Sequence, residues 1–372
     1  MKKVGLILIA VLLFVTGCGK VDKSSVISDF KKSVNKSKSY VLNGTMEIIN
    51  YEDVFKYTIE TKYLHDDNDY YKVTLVNQTN NHEQIILKND DGVYVVTPSL
   101  NKSFKFQSNW PNNSSQSYLL SSLLNDMNND NESSFEEKDG YYIIKNKVEY
   151  PNNEELVYEK VYFDKKNNLK KVEVYNDQDM IKIKVEFTNI DMKASLDEDE
   201  FALSKLITEP ECKENCDSNN NSINSNQTQN NTENKANNST IEDNTTDTTT
   251  QNKPTASIED VIYPLYVPEN TSLKSKDVVD TEDGERVILT FAGDNSFVLV
   301  EETMSVSDEF EIIPVYGDPE IINDSIGALS ANSLSWTSNN VNYYLTGTTL
   351  SKDDLLNIAT SMNNVGVVNA EK

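Results

Sequence analysis

The stretch YVLNGTMEIINYEDVFKYTIETKYL, residues 40–64, decides the fold. It is rich in Tyr, Val, Ile and Thr, and its apolar and polar residues alternate as a half-buried pleated surface requires. Two strands, 40–51 and 54–64, meet there at a polar break. The same texture predicts further strands at 70–77, 83–88, 93–97 and 103–107, and then at 135–138, 141–147, 156–164, 169–175 and 181–190. Polar clusters separate them, among them Asp66-Asp67-Asn68-Asp69, Asn89-Asp90-Asp91-Gly92 and the turn at 165–168. The first two lack the spaced ligands and terminal Glu of a twelve-residue calcium loop, so they read as hairpin turns.

Two helices interrupt the strands. One spans 24–39, with Ile27, Phe30 and Val34 on one stripe and lysines opposite; the other spans 115–125 and carries Leu119, Leu120, Leu123 and Leu124. An acidic turn at 197–201 closes the domain with Phe201 as an aromatic plug. So many strands joined by short turns imply an extensive antiparallel sheet, which must curl or be covered on one face. Two helices are too few to cover it tightly. A concave sheet with helices across its mouth satisfies both demands and leaves an apolar cavity. The fold class expected is α+β.

Length agrees with more than one domain, since 372 residues at about 150 per domain suggest two. Residues 206–256 read as the linker: between 217 and 252 stand twelve asparagines and no aromatic residue, so no core can form and disorder is expected. A flexible segment of that length spans roughly 35–40 Å, which would let the second domain move independently. That domain, 257–368, reads as a small α+β module. Its prolines make 263–268 an extended entry; 286–291 and 296–302 form one hairpin, 312–316 an extended piece, and 334–337 with 342–346 a second hairpin. Ser351 caps a final helix, with Asp354 completing the capping box and Leu355, Leu356, Ile358, Ala359 and Met362 on its apolar side.

The N-terminus reads MKKVGLILIAVLLFVTGC. Lys2 and Lys3 precede a twelve-residue apolar run, 4–15, which is shorter than the roughly 20 residues a spanning helix needs. The run ends in Val15-Thr16-Gly17-Cys18, a bacterial lipobox, so cleavage is expected between Gly17 and Cys18 with a diacylglycerol on the Cys18 thiol. The mature chain would then carry a net charge of −28, since it loses two lysines from −26. Acyl chains rather than electrostatics would hold it to an anionic membrane, at the extracytoplasmic face. The five-residue tether from Gly19 to Lys23 reaches under roughly 18 Å, close to the bilayer.

The remaining residues argue against several kinds of chemistry. Sixty acidic against 34 basic residues, with Arg286 the single arginine, exclude a nucleic-acid surface and an arginine cluster for phosphate. His65 and His82 have no ligand partner at metal spacing and read as turn residues; Cys212 and Cys216 form a lone C-x3-C without nearby histidine, which suits a local disulfide or free thiols at a domain edge. Acid pairs such as Glu136-Glu137 read as solvated faces, and there is no phosphate loop or G-x-S-x-G. No cofactor, metal or catalytic residue is expected. Nineteen tyrosines, many alternating along the strands, suit packing or a groove that is apolar at one end and wet at the other. Trp110, in a loop beside Pro111, is expected to plug the cavity or anchor a partner; Phe104, Phe106 and Tyr118 join it as candidate partner or ligand contacts.

The stretch QIILKNDDGVYVVTPSLNKSFKFQSNWPNNSSQ, residues 84–116, resembles the signature of sporulation lipoproteins of spore-forming Firmicutes related to the germination lipoprotein GerS. These are similar to the LolA-like and RseB-like fold, and the resemblance covers about residues 24–205. It implies an eleven-stranded half-barrel with helices across its opening, a role in the spore envelope or cortex and in germination, and no catalytic residue. Its possible partners are a cell-wall amidase or another envelope protein, or an apolar ligand. The tail is similar to a domain of unknown function, DUF4367, through YPLYVP at 263–268, the strand at 286–291, LSW at 334–336 and LLNIA at 355–359. The alternative function implied is an RseB-like envelope-stress sensor whose two domains grip an anti-sigma factor.

Overall fold

The computed structural model describes residues 21–50, 53–206, 257–258, 260–281, 284–304 and 309–362. Gly17, Cys18, Cys212, Cys216 and residues 207–256 of the segment read as a linker lie outside the described residues.

Helix α1 (Lys23–Lys36) opens the chain, held by a reciprocal capping box between Asp22 and Ser25. The strands β1 (Ser39–Asn50), β2 (Asp53–His65), β3 (Asp69–Asn77), β4 (Glu83–Asn89), β5 (Gly92–Thr97) and β6 (Lys102–Phe106) follow. Helix α2 (Leu120–Asn129) then precedes β7 (Ser134–Lys138), β8 (Tyr141–Lys147), β9 (Leu156–Phe163), β10 (Leu169–Asn176) and β11 (Ile181–Asp191). All eleven strands lie in one antiparallel sheet, ordered β6-β5-β4-β3-β2-β1-β11-β10-β9-β8-β7. Helix α2 begins five residues later than the sequence pattern indicates. Ser115 instead donates its backbone N–H to the Glu149 carbonyl at 2.7 Å, and its hydroxyl accepts from the Glu149 N–H at 2.9 Å, which holds the preceding segment out of the helix.

The sheet is curled. Helix α2 touches β8 and, through a 3.3 Å contact between Ser121 Oγ and Tyr71 Oη, also β3. Six strand spacings separate β3 from β8, about 29 Å in a flat sheet. A helix is only about 10–12 Å across, so the sheet must wrap around it. The inner face carries every second residue of β1, namely Tyr40, Leu42, Met46 and Ile48, together with Ile59, Val73, Val161, Phe163 and Val185. Gly44 occupies the same face at a bulge against β11, where a Cβ would lie 2.4 Å from the Glu186 carbonyl oxygen. On the convex face Phe201, 1% exposed, covers Tyr70, Ile85, Leu87, Tyr94 and Val96. This second apolar layer is why β4 reads as a continuous apolar run rather than an alternating one.

The C-terminal module forms a seven-stranded sheet ordered β12-β13-β14-β19-β18-β17-β16. Its strands are β12 (Thr271–Thr281), β13 (Gly284–Gly293), β14 (Phe297–Thr303), β16 (Asp318–Ile322), β17 (Ser325–Leu329), β18 (Ser333–Ser338) and β19 (Val341–Thr346). Helix α3 (Lys352–Thr360) lies on it, and its predicted capping box between Ser351 and Asp354 is present. The intervening strand, β15 (Glu311–Val315), leaves this sheet and pairs in parallel with β6 of the half-barrel, Ile313 opposite Phe104 and Val315 opposite Phe106. An independently moving second domain was the expectation, but the two modules pack together.

Several observations define that junction. Ile326 and Ala328 of β17 belong to the half-barrel's core, with Val315 and Ile321 packed against it. Gln84 Oε1 accepts from the Ile326 N–H at 2.6 Å, and Ser108 Oγ donates to Asp318 Oδ1 at 2.6 Å. At the β16–β17 turn the Tyr57 hydroxyl donates to the Asn323 carbonyl, and Asn50 Nδ2 reaches Asn323 Oδ1 at 2.9 Å. The linker composition says nothing about these contacts, which arise because β6 is an otherwise unpaired edge beside an apolar mouth.

Two acids lie in the half-barrel interior. Glu159 is fully buried on the face of Val161; Asn146 Nδ2 donates to its Oε1 at 3.0 Å. Burial, then the nearby Asp126 carboxyl, pushes Glu159 up to about 8, and burial lifts Asp126 to about 6. The unfolded chain releases the Glu159 proton near pH 4.5, whereas the folded chain keeps it to about 8, so this group makes stability fall as pH rises through that window. Glu159→Gln should match the parent at pH 4.5 and exceed it by a few kcal/mol at pH 8, read by denaturant unfolding at both pH values. Phe201→Ala should destabilise the fold by about 3–5 kcal/mol in the same assay, because it empties the convex apolar layer.

Candidate functional site

The mouth of the half-barrel holds a cavity of about 590 Å³. Its floor is made by the inward residues Met46 and Ile48 of β1 and Ile183 of β11, with Ile86 and Leu156 beside them. The alternation of β1 explains this placement: the residues that line the cavity continue the buried face of Tyr40 and Leu42 past the region the helices cover. The far wall comes from the C-terminal module. Pro319, Glu320 and Ile321 of β16 face the cavity, as do Asp353, Leu356, Asn357 and Thr360 of α3. Those helix positions recur at three- and four-residue steps and so share one face, while Leu355, Ile358 and Ala359 turn into the module's own core. The cavity therefore exists only where both modules meet.

Polar groups ring this apolar floor. Lys182 Nζ pairs with Glu155 Oε1 at 2.8 Å, and Asn176 Nδ2 donates to the same oxygen at 3.2 Å. Asp353 Oδ1 accepts from the Glu154 N–H at 3.3 Å, and the neighbouring Lys352 Nζ donates to Asn152 Oδ1 at 2.7 Å. Asn152 Nδ2 reaches the Glu320 carboxyl only at a long 3.5 Å. Burial pushes this carboxyl up to about 7, and Asp318 adds to the rise while Lys352 opposes it. Tyr118 and Tyr150 also line the cavity, and burial raises both phenols, which stay neutral donors. Tyr118 Oη donates to Gln116 Oε1 at 2.6 Å.

The residues singled out from sequence separate into two groups. Tyr118 is in the cavity wall. Trp110, 1% exposed, packs edge-on against Tyr71 at 5.9 Å between ring centroids, and its backbone N–H donates to Ser108 Oγ at 3.0 Å. In this conformation its indole offers no surface to a partner. Phe104 is half-buried and Phe106 buried, both on the strand that β15 covers, so their edge is occupied by the chain's own C-terminal module. Sequence reasoning missed Glu320, Tyr150 and Asp353. Gly317-Asp318-Pro319 reads as a turn, which hides the strand carrying Glu320; Tyr150 follows β8 without a distinctive pattern, and Asp353 lies in the first turn of the expected helix α3, on the face away from the apolar side read from sequence.

His65 Nδ1 lies 2.8 Å from Asp69 Oδ1 on an exposed turn, and burial holds the His82 ring below the usual imidazole range. Among the described residues no group of three or more His, Cys, Asp or Glu side chains is arranged to hold a metal ion. Among them too, no helix is long and apolar enough to cross a membrane.

Comparison with known proteins gives the lineage. A family model described as "Sporulation protein YdcC-like" matches residues 1–201. Sporulation protein YdcC of Bacillus subtilis (strain 168) is 31% identical over 356 residues, covering 95% of this chain and 94% of the relative. Among solved structures, the Pseudomonas aeruginosa MucA/MucB complex is similar with a TM-score of 0.30 and 10% identity, covering 90% of this chain and 97% of that one. The Clostridioides difficile CwlD amidase in complex with the GerS lipoprotein gives a TM-score of 0.28 and 15% identity, over 47% of this chain and 98% of that one. A putative outer membrane lipoprotein-sorting protein domain from Vibrio parahaemolyticus gives 0.31 and 12%, over 48% and 97%. The sporulation lineage expected from residues 84–116 thus rests on the family model and on a relative spanning nearly the whole length: the chain belongs to the YdcC-like sporulation protein family.

Proposed function

We propose that the protein is a non-enzymatic lipoprotein of the sporulating cell, anchored through Cys18 at the extracytoplasmic face, that binds an apolar ligand or a partner protein through its half-barrel. The observation that carries this reading is the cavity of about 590 Å³, which lies in the range of about 300–1,000 Å³ typical of small-molecule sites. Its floor is aliphatic and its polar groups gather at one side, as in a site that buries an apolar body and orients one end. Membership of a sporulation family supports the biological setting. The lipobox supports the anchor, and the aliphatic floor of the cavity supports a binding role. A cell-wall amidase is a candidate partner.

The docked C-terminal module favours a second reading, an envelope-stress sensor in which both modules grip an anti-sigma factor. A two-domain grip needs a fixed interface, and the β6–β15 pairing supplies one.

The test is made in sporulating cells. Labelled palmitate should enter the full chain and not its Cys18→Ala variant, and a strain lacking the protein should form spores impaired in heat resistance or germination. An unlabelled chain, or fully normal spores from the deletion strain, contradicts the reading.

A further inference from the structure

We infer that the cavity selects an amphiphile with a cationic head, an apolar chain ending in an ammonium group; this rests on the ligand-binding reading above. The floor formed by Met46, Ile48 and Ile183 suits a hydrocarbon chain and has no polar atom to orient it. Orientation must come from the rim, and the rim is acidic. Four carboxylates (Glu155, Asp177, Glu320 and Asp353) line the cavity against one lysine, Lys182. That lysine lies 2.8 Å from Glu155, so the pair leaves the remaining three carboxylates in excess.

Glu320 is the group best placed to read the head. Among the described residues no lysine, arginine or histidine nitrogen lies within 4.0 Å of its carboxylate, and its contact with Asn152 is at the 3.5 Å limit of a hydrogen bond. Lys352, whose charge acts on it, is engaged with Asn152 Oδ1 at 2.7 Å. A carboxyl held beside an aliphatic floor without a close cation gains most from a ligand that brings one. An anionic head would meet the same excess of acid, and the net charge of −26 extends that repulsion to the approach. The neighbouring phenols of Tyr118 and Tyr150 and the side chain of Gln116 hydrogen-bond without adding charge, so they do not offset the preference.

The test uses the full chain and three probes of equal chain length, decylammonium, decanol and decanoate, in isothermal titration calorimetry at pH 8.5, where the Glu320 carboxyl is ionised and the alkylammonium still charged. Decylammonium should bind about tenfold or more tighter than either of the others. Glu320→Gln should bring decylammonium to the affinity of decanol while leaving decanol unchanged, and unchanged decanol binding also reports an intact fold. Asp353→Asn should give a smaller loss in the same direction. Decanol or decanoate binding as tightly as decylammonium overturns the inference, as does a preference that survives Glu320→Gln. If all three bind equally and Ile183→Trp abolishes binding, the charge preference falls and the cavity reading stands. If none binds, both fall.

Discussion

An open β-sheet has two liabilities, an edge of unpaired backbone groups and an apolar face that needs cover. Here both sit at the same place. Strand β6 ends the sheet at one side, and the mouth next to it is lined by Tyr57, Gln84 and the aliphatic residues of β1 and β4. The C-terminal module meets both demands. Strand β15 takes the edge, and the β16–β17 turn takes the mouth, where Ile326 and Ala328 enter the half-barrel's own core. Without that cover Gln84 and Tyr57 would lose the backbone partners they now engage, the Ile326 N–H and the Asn323 carbonyl. The cover that buries these groups therefore also pairs them, and avoids a cost of about 1–3 kcal/mol for each polar group buried without a partner.

The cavity is a consequence of how this cover fits. Helices α1 and α2 fill one end of the curl, with Phe30 against Phe163 at 5.3 Å and Trp110 closing against Tyr71. The other end is roofed by β16 and one face of α3, which stand off the floor instead of filling it. Because the roof belongs to a separate module, its position decides the volume and polarity of the space beneath. Glu320 and Asp353 come from the roof, while Lys182 and Glu155 come from the half-barrel. A ligand that spans the gap would thus strengthen the junction, and loosening the junction would release the ligand, since binding to one arrangement stabilises that arrangement.

Most of the half-barrel was legible in the sequence because its strands carry period-two burial. Strand β1 alternates without a break from Tyr40 to Ile48, and the helix cap at Ser351 is a purely local signal. The misses have equally specific causes. Strand β12 leaves Leu273, Val278 and Val279 exposed and shows no alternation. Strand β17 is built from Ser325-Ile-Gly-Ala-Leu329, buried throughout and poor in strand-forming side chains. Helix α2 starts late because Ser115 bonds to Glu149, a partner no local pattern indicates. The docking itself was invisible: Gln84 and Ile326 are 242 positions apart, and the asparagine-rich segment between them describes only its own composition. The cavity was foreseen in outline from the shortage of helices, but its acidic roof was not, since that roof comes from residues assigned to another domain. The candidate contacts Phe104 and Phe106 were drawn from a strand whose neighbour in space, β15, lies some two hundred residues downstream by the pairing of Phe104 with Ile313.

Amide hydrogen exchange on the full chain tests the docking most directly. If the C-terminal module covers the half-barrel as described, the amides of β6 and those of Glu311, Ile313 and Val315 in β15, which face β6, exchange slowly and as one cooperative group. The Ile326 N–H, held by Gln84, should be protected with them. Exchange in β15 at the rate of an exposed strand, with β6 behaving as a free sheet edge, would contradict the account.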